Sequence, residues 1–80
     1  MIKMMTINVR LDKISDIREF IRRANKYTDL EIHQGRVIVP ATSLMGIYSL
    51  DLENKIKVVS CDLDVTREQL EADFGWIMCN

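Results

Sequence analysis

Few residues in this 80-residue chain have side chains suited to chemistry, and they lie far apart in the sequence. His33 is the only histidine, and Cys61 and Cys79 are the only cysteines. The two cysteines are too few for a disulfide framework and lack the spacing of metal ligands. No acidic residue is placed by the sequence to orient the ring of His33. We therefore predict no enzymatic activity, no metal and no cofactor. We expect His33 in an exposed turn, Cys61 as a packed or idle thiol, and Cys79 in a mobile chain end.

Composition and charge limit the kinds of partner and compartment that the chain can have. The chain is 48% hydrophobic and 29% charged with a net charge of −1, as in an ordinary single globular domain without a field that attracts nucleic acid or anionic lipid. The basic residues of the first predicted helix are not accompanied by stacking aromatic residues, so we expect no nucleic-acid partner. The first ten residues lack the apolar run of a signal peptide, and no segment has membrane-spanning length. These features predict a cytoplasmic protein that does not bind membranes.

Hydrophobic periodicity predicts seven elements in the order βαββαβα. Alternating residues indicate a strand over 5–11, a hairpin over 30–39 turning at Gln34-Gly35, and a strand over 56–59. Asp12 is the predicted cap of a first helix with an apolar face formed by Ile14, Ile17, Phe20, Ile21 and Ala24. Thr66 and Gln69 are typical of a capping box at the start of a last helix, whose inner stripe is Leu70, Phe74 and Ile77.

Four short strands in so small a chain cannot be covered by helices on both faces. Right-handed crossovers place all the helices on one face of the sheet. The predicted fold is therefore α+β: an open-faced two-layer sandwich over residues 1–80, with a four-stranded antiparallel sheet and three helices. The basic first helix and the acidic last helix have matching charges if they are neighbours.

The segment 41–50, ATSLMGIYSL, predicts a short middle helix that ends near Asp51. Either Ser43 or Thr42 can be its N-cap, since a hydroxyl oxygen there accepts a hydrogen bond from an unpaired backbone N–H. Ile47 and Leu50, three residues apart, are predicted to face the core. Three adjoining apolar residues then point outwards and indicate a contact surface: Leu44, Met45 and Tyr48.

"SLMGIYSL", residues 43–50, closely resembles the "SIMGVMSL" segment of HPr, the histidine-containing phosphocarrier family of the bacterial sugar phosphotransferase system. The order of elements and the length agree over nearly the whole chain. The resemblance implies that Ser43 stands where a dedicated HPr kinase phosphorylates family members. It also implies that Leu44, Met45 and Tyr48 dock on protein partners, although Tyr48 replaces the methionine usual in the family.

The segment before the first helix departs from the family. HPr proteins carry a phosphoryl group on a histidine in a "GIHARP"-like loop, whereas this chain reads "NVRLDKISD" there. When the first helices are aligned, Leu11 or Asp12 falls near the position of that histidine, and Lys13 falls roughly at the position of the arginine in the family loop. Phosphoryl transfer needs a positioned nucleophile and cations that offset the developing charge. The loop therefore predicts that carrier activity is lost.

The favoured hypothesis is a non-catalytic HPr-like regulatory domain, switched at Ser43 and acting in the regulation of sugar transport. The family includes such a type, a catabolite-repression homologue that lacks the histidine and keeps the serine. Lys13 is included in the partner surface, and it adds a charge near a phosphate on Ser43 if the first two helices start close together. The alternatives are a phosphocarrier that uses His33 or Asp12, and a small-molecule-binding βαββαβ module.

Overall fold

The computed structural model describes residues 5–80. The first four residues, the beginning of the stretch interpreted as lacking a signal peptide, lie outside this range. The elements are β1 (Met5–Val9), α1 (Ile14–Ala24), β2 (Leu30–Gln34), β3 (Val37–Pro40), α2 (Leu44–Tyr48), β4 (Ile56–Ser60) and α3 (Arg67–Phe74). A short 3-10 turn over Gly75–Ile77 follows α3. The predicted order βαββαβα is confirmed.

The four strands form one antiparallel sheet in the order β1-β4-β2-β3. The hairpin between β2 and β3 turns at Gly35, whose φ of 59° is a conformation that suits glycine. Pro40 ends β3 at the edge of the sheet, where a missing N–H costs no central hydrogen bond. With three helices on one face, the predicted α+β open-faced sandwich is confirmed.

The core lies between the sheet and the helices. Strand residues such as Val9, Ile32 and Val58 are fully buried there, and Phe20 and Phe74 bring the two large aromatic rings from α1 and α3. The predicted inner stripe of α3 is confirmed. Ile14 is the exception on α1, because 60% of its surface is exposed and its side chain lines a surface depression beside Tyr48.

α1 and α3 are joined by polar contacts that use the charges foreseen from the sequence. Lys26 forms an ion pair with Asp73, and the Tyr27 hydroxyl donates to the same carboxylate at 2.5 Å. Arg23 Nη1 donates to the backbone oxygen of Asp73 at 2.8 Å. Within α1, Glu19 accepts from Arg22, so part of the basic charge is neutralised locally.

The predicted N-cap of α1 is wrong. Asp12 does not cap α1; instead Asp16, in the first turn of the helix, accepts from the backbone N–H groups of residues 12 and 13 at 3.4 and 3.3 Å. The chain end, expected to be mobile, is paired with β1: Cys79 N–H donates to the Asn8 oxygen at 2.9 Å, and Met78 pairs with Val9. The last residues thus cover the outer edge of β1.

Within residues 5–80, no helix combines the length and the apolar character that crossing a bilayer requires.

Candidate functional site

The short helix α2 is closed at both ends by its own serines. Ser43 is the N-cap: its backbone is extended, and its Oγ accepts from the Gly46 N–H at 3.0 Å. Ser49 Oγ donates to the Gly46 oxygen at 2.6 Å. The helix ends at Tyr48, three residues earlier than the predicted end near Asp51. The first bond pairs an N–H that the helix cannot pair internally, and the second adds to the Ser49 N–H that the Gly46 oxygen also accepts.

Gly46 allows α2 to lie directly against the edge strand. A Cβ atom at this position would lie 2.9 Å from the Val39 Cβ, closer than real Cβ contacts, and 3.0 Å from the Ser43 Oγ, which is also tight. Any larger residue would therefore push α2 off β3 or displace the capping hydroxyl. This explains a glycine inside a helix, where it is otherwise unfavourable.

The two sides of α2 differ as the sequence predicted. Ile47 is fully buried, and Leu50 just beyond the helix is 8% exposed. The outward residues Leu44, Met45 and Tyr48, called here the α2 patch, are 44%, 77% and 45% exposed. The predicted orientation is confirmed, whereas a role in partner binding stays a prediction.

The patch continues onto the start of α1. Tyr48 borders a surface depression of about 370 Å³ together with Lys13, Ile14 and Leu52. Ile14 thus extends the apolar surface, although the sequence assigned it to the core because it fits the helical spacing of Ile17. Apolar periodicity alone could not reveal that the first turn of α1 lies beside α2 rather than over the sheet.

Lys13 is not at the Ser43 end of α2. β3 ends near the C-terminal end of α1, because Pro40 pairs with Glu31 near the start of β2. α2 therefore begins at that end and runs back, so that Tyr48 lines the same surface depression as Lys13. The condition that the first two helices start close together is not met.

The loop before α1 holds the residues that stand near the place of the family histidine. Leu11 is buried in the core with 2% exposure, which removes it from contact with any donor. Asp12 is exposed at the surface, with its carboxylate 3.9 Å from Arg10. Arg10 is itself held by a hydrogen bond to the Glu53 backbone oxygen at 2.8 Å. The arrangement shows an ordinary surface loop around Asp12.

His33 is oriented by an acid, contrary to the sequence prediction. Its Nε2 lies 3.0 Å from Glu31 Oε1, and this hydrogen bond lowers the pKa of Glu31. Residues two apart on a strand share a face, so the Glu-x-His spacing was the signal that could have found the pair. His33 and Glu31 lie on the open face of the sheet, opposite the helix layer that carries the α2 patch.

Cys61 lies next to the same acid. Its Sγ is 3.6 Å from Glu31 Oε1, and its N–H donates to the Asp29 oxygen at 3.0 Å. Burial, together with the charges of Glu31 and Asp29, raises the pKa of the Cys61 thiol. A thiol held protonated is a poor nucleophile, so these contacts agree with the expected packed thiol rather than a reactive one.

Comparison of this chain with family models, with curated proteins and with solved structures gives no match.

Proposed function

We propose that this protein is a non-catalytic, HPr-like regulatory domain that docks on protein partners through the α2 patch. The observation that carries the proposal is the exposure of three adjoining apolar side chains, Leu44, Met45 and Tyr48, on a helix with a separate buried anchor in Ile47. None of the three is needed to fill the core. Contiguous apolar surface of this kind is typical of protein interaction sites.

The resemblance of residues 43–50 to HPr suggests the class of partner. These partners are an HPr kinase and the phosphotransferase-system or transcriptional regulators of bacterial sugar transport, in the cytoplasm. The depression beside Tyr48 adds Ile14 and Leu52 as apolar contacts and Lys13 as a charge at its rim. A partner with an apolar segment flanked by an acidic residue fits this surface.

Phosphorylation of Ser43 is the proposed switch. A phosphate on the N-cap adds a charge of about −1.5 to −2 at pH 7, and its oxygens can still accept from the Gly46 N–H. Negative charge is favourable at the first turn of a helix. The modification should thus leave α2 folded and place an anion beside Leu44, which changes the partner surface without unfolding it.

Kinase labelling tests the switch. HPr kinase is incubated with the wild type and with Ser43→Ala, and incorporated phosphate is measured by mass spectrometry. The matched controls are Thr42→Ala and Ser49→Ala, which remove the neighbouring hydroxyls. Labelling of all forms except Ser43→Ala supports the switch, whereas equal labelling of Ser43→Ala, or labelling of none, removes it.

Docking is tested separately by titration calorimetry with HPr kinase and with the regulators. Met45→Glu places a charge in the α2 patch, and Leu63→Glu places the same charge on a residue that is 68% exposed elsewhere. We expect Met45→Glu to abolish binding and Leu63→Glu to leave it unchanged. Equal affinities of the two variants would contradict docking through the patch.

The phosphocarrier alternative has one favourable observation, the 3.0 Å contact that orients His33 through Glu31. Its position on the open face of the sheet, away from the α2 patch, favours the regulatory proposal. We expect no acid-labile phosphate on the protein after incubation with phosphoenolpyruvate and the first enzyme of the phosphotransferase system. Labelling that disappears in His33→Ala would overturn this expectation and favour a carrier.

A further inference from the structure

Three metal-ligating side chains meet on the open face of the sheet, at the end where β2 begins and β4 finishes. Leu30 pairs with Ser60 across these strands, so Asp29 and Cys61 are the next residues outwards, joined by a backbone hydrogen bond of 3.0 Å. Glu31, on β2, brings its carboxylate to the same place, within 4.8 Å of the donor atoms of the other two residues. Antiparallel pairing thus brings together residues that are 30 positions apart in sequence.

The distances between the three donor atoms suit the binding of one small cation. The donor atoms of Asp29, Glu31 and Cys61 all lie within 4.8 Å of one another, and the Cys61 Sγ is 3.6 Å from Glu31 Oε1. In a tetrahedral zinc site with bonds of about 2.0–2.3 Å, neighbouring ligand atoms are about 3.5 Å apart. One pair is already at this spacing, and small side-chain rotations would bring in the third donor.

The chemical types of the donor atoms indicate which metal ion the three side chains would bind. A cysteine sulfur with two carboxylates suits zinc, whereas magnesium and calcium take oxygen ligands alone. His33 orients one of these ligands, because its Nε2 lies 3.0 Å from Glu31 Oε1 and can hold that carboxylate in place. Ligands held by a neighbouring hydrogen-bonding group of this kind bind metals more tightly.

We propose that Asp29, Glu31 and Cys61 form a Zn²⁺ site, with His33 as a positioning residue for Glu31 and water at the fourth position. On binding, the Cys61 S–H bond breaks, a sulfur–zinc bond forms and the proton passes to the solvent, without redox change. Asp29 is exposed and Glu31 is partly exposed, so that both carboxylates are open to an ion from solvent. The site does not depend on the function proposed for the α2 patch.

The test is titration calorimetry of the full chain with ZnCl₂, in a reductant that does not chelate metals. The wild type should bind one zinc ion per chain, and Cys61→Ser should bind at least about 10-fold more weakly. The matched control is Cys79→Ser, which removes the other cysteine and should leave affinity unchanged. Glu31→Gln should weaken binding, whereas Glu68→Gln, an exposed acid on α3, should not.

Cobalt substitution identifies the sulfur ligand. Co²⁺ bound to the wild type and to Cys79→Ser should show a thiolate-to-metal charge-transfer band, and Cys61→Ser should lack it. His33→Ala should keep the band with affinity lowered about 10-fold, as expected of a positioning residue. Absence of zinc binding by the wild type, equal affinity of Cys61→Ser, or dependence on Cys79 would each overturn the proposal.

Discussion

The two helices packed beside α1 are held in different ways. α3 is fixed by aromatic and charged contacts: Phe74 lies 5.0 Å from the Phe20 ring, and Asp73 binds Lys26 and Tyr27. The Arg23 guanidinium also lies 5.4 Å from the centre of the Trp76 ring, just after α3. The side chains that α3 presents to α1 are therefore occupied within the molecule.

α2 is held by fewer contacts, and most of its side chains are exposed at the surface. Ile47 is its one fully buried side chain, Ser43 caps it and Gly46 sets its distance from β3. Met45, by contrast, is 77% exposed. α3 is therefore part of the framework that stabilises the fold, whereas α2 mainly presents exposed side chains at the surface.

The largest effect is expected at the aromatic contact of α3. Phe74→Ala should reduce the free energy of unfolding by about 3–5 kcal/mol, because a fully buried ring is replaced by a cavity. Urea unfolding followed by circular dichroism measures the loss. Trp76→Ala, which removes a half-exposed ring, its cation–π contact and its hydrogen bond to the Asp73 oxygen, should cost less, about 1–2 kcal/mol. Equal losses would show that the framework does not centre on Phe74.

A pair of glycine substitutions tests how α2 is seated. Gly46→Ala should cost about 1–3 kcal/mol, since the added Cβ meets Val39 at 2.9 Å. Gly75→Ala is the matched control, because a Cβ there meets nothing within 4 Å and its φ of −56° suits alanine. Its stability should remain within about 0.5 kcal/mol of the wild type. A neutral Gly46→Ala would contradict close packing of α2 on β3.

Acid pH should loosen the α3 side through Asp73. Burial raises the pKa of this carboxyl, but the hydrogen bonds from Lys26 and Tyr27 outweigh it, so its folded pKa lies below the ordinary 3.8. Its contribution is complete above pH 3.8 and is lost as the pH falls through the lowered value. Thermal unfolding between pH 5 and 2 should therefore show a shallower fall for Asp73→Asn than for the wild type.

The control for that experiment is Glu68→Gln, which changes an exposed carboxylate on the same helix. It should follow the wild-type curve. If the stability of Asp73→Asn falls with pH as steeply as that of the wild type, other carboxylates are responsible for the acid sensitivity. Glu19, with its pKa of about 2, is one such group.

The smallest effect on stability is expected in the α2 patch. Met45→Ser should change the free energy of unfolding by no more than about 0.5 kcal/mol, because the side chain is largely exposed. The same variant should weaken partner binding in the calorimetric assay. A stability loss above about 1 kcal/mol would show that Met45 packs within the fold and would erase the contrast between the two helices.

The architecture was predictable because periodicity reports burial directly. Ile47 and Tyr48 could be assigned to opposite sides of α2 from spacing alone, and Thr66 and Gln69 form the predicted capping box. The matching charges of α1 and α3 were also visible, although only Lys26 and Arg23 reach α3 in the described part of the chain.

The contacts that were missed depend on register or on chain direction. Cys61 and Asp29 become neighbours only once β2 and β4 are paired at a particular register. Asp12 and Asp16 are both plausible caps, and the backbone entry into α1 decides between them. The direction of α2 relative to α1, which separates Lys13 from Ser43, follows from where β3 ends.

The close approach of Gly46 to Val39 also has an evolutionary consequence. Positions 43, 46 and 47 determine how α2 is seated, whereas positions 44, 45 and 48 contribute little to the core. The outer three residues can therefore change in the course of evolution while the inner three stay constant. Chains that share this architecture should vary most at positions 44, 45 and 48, and such changes would need no new fold.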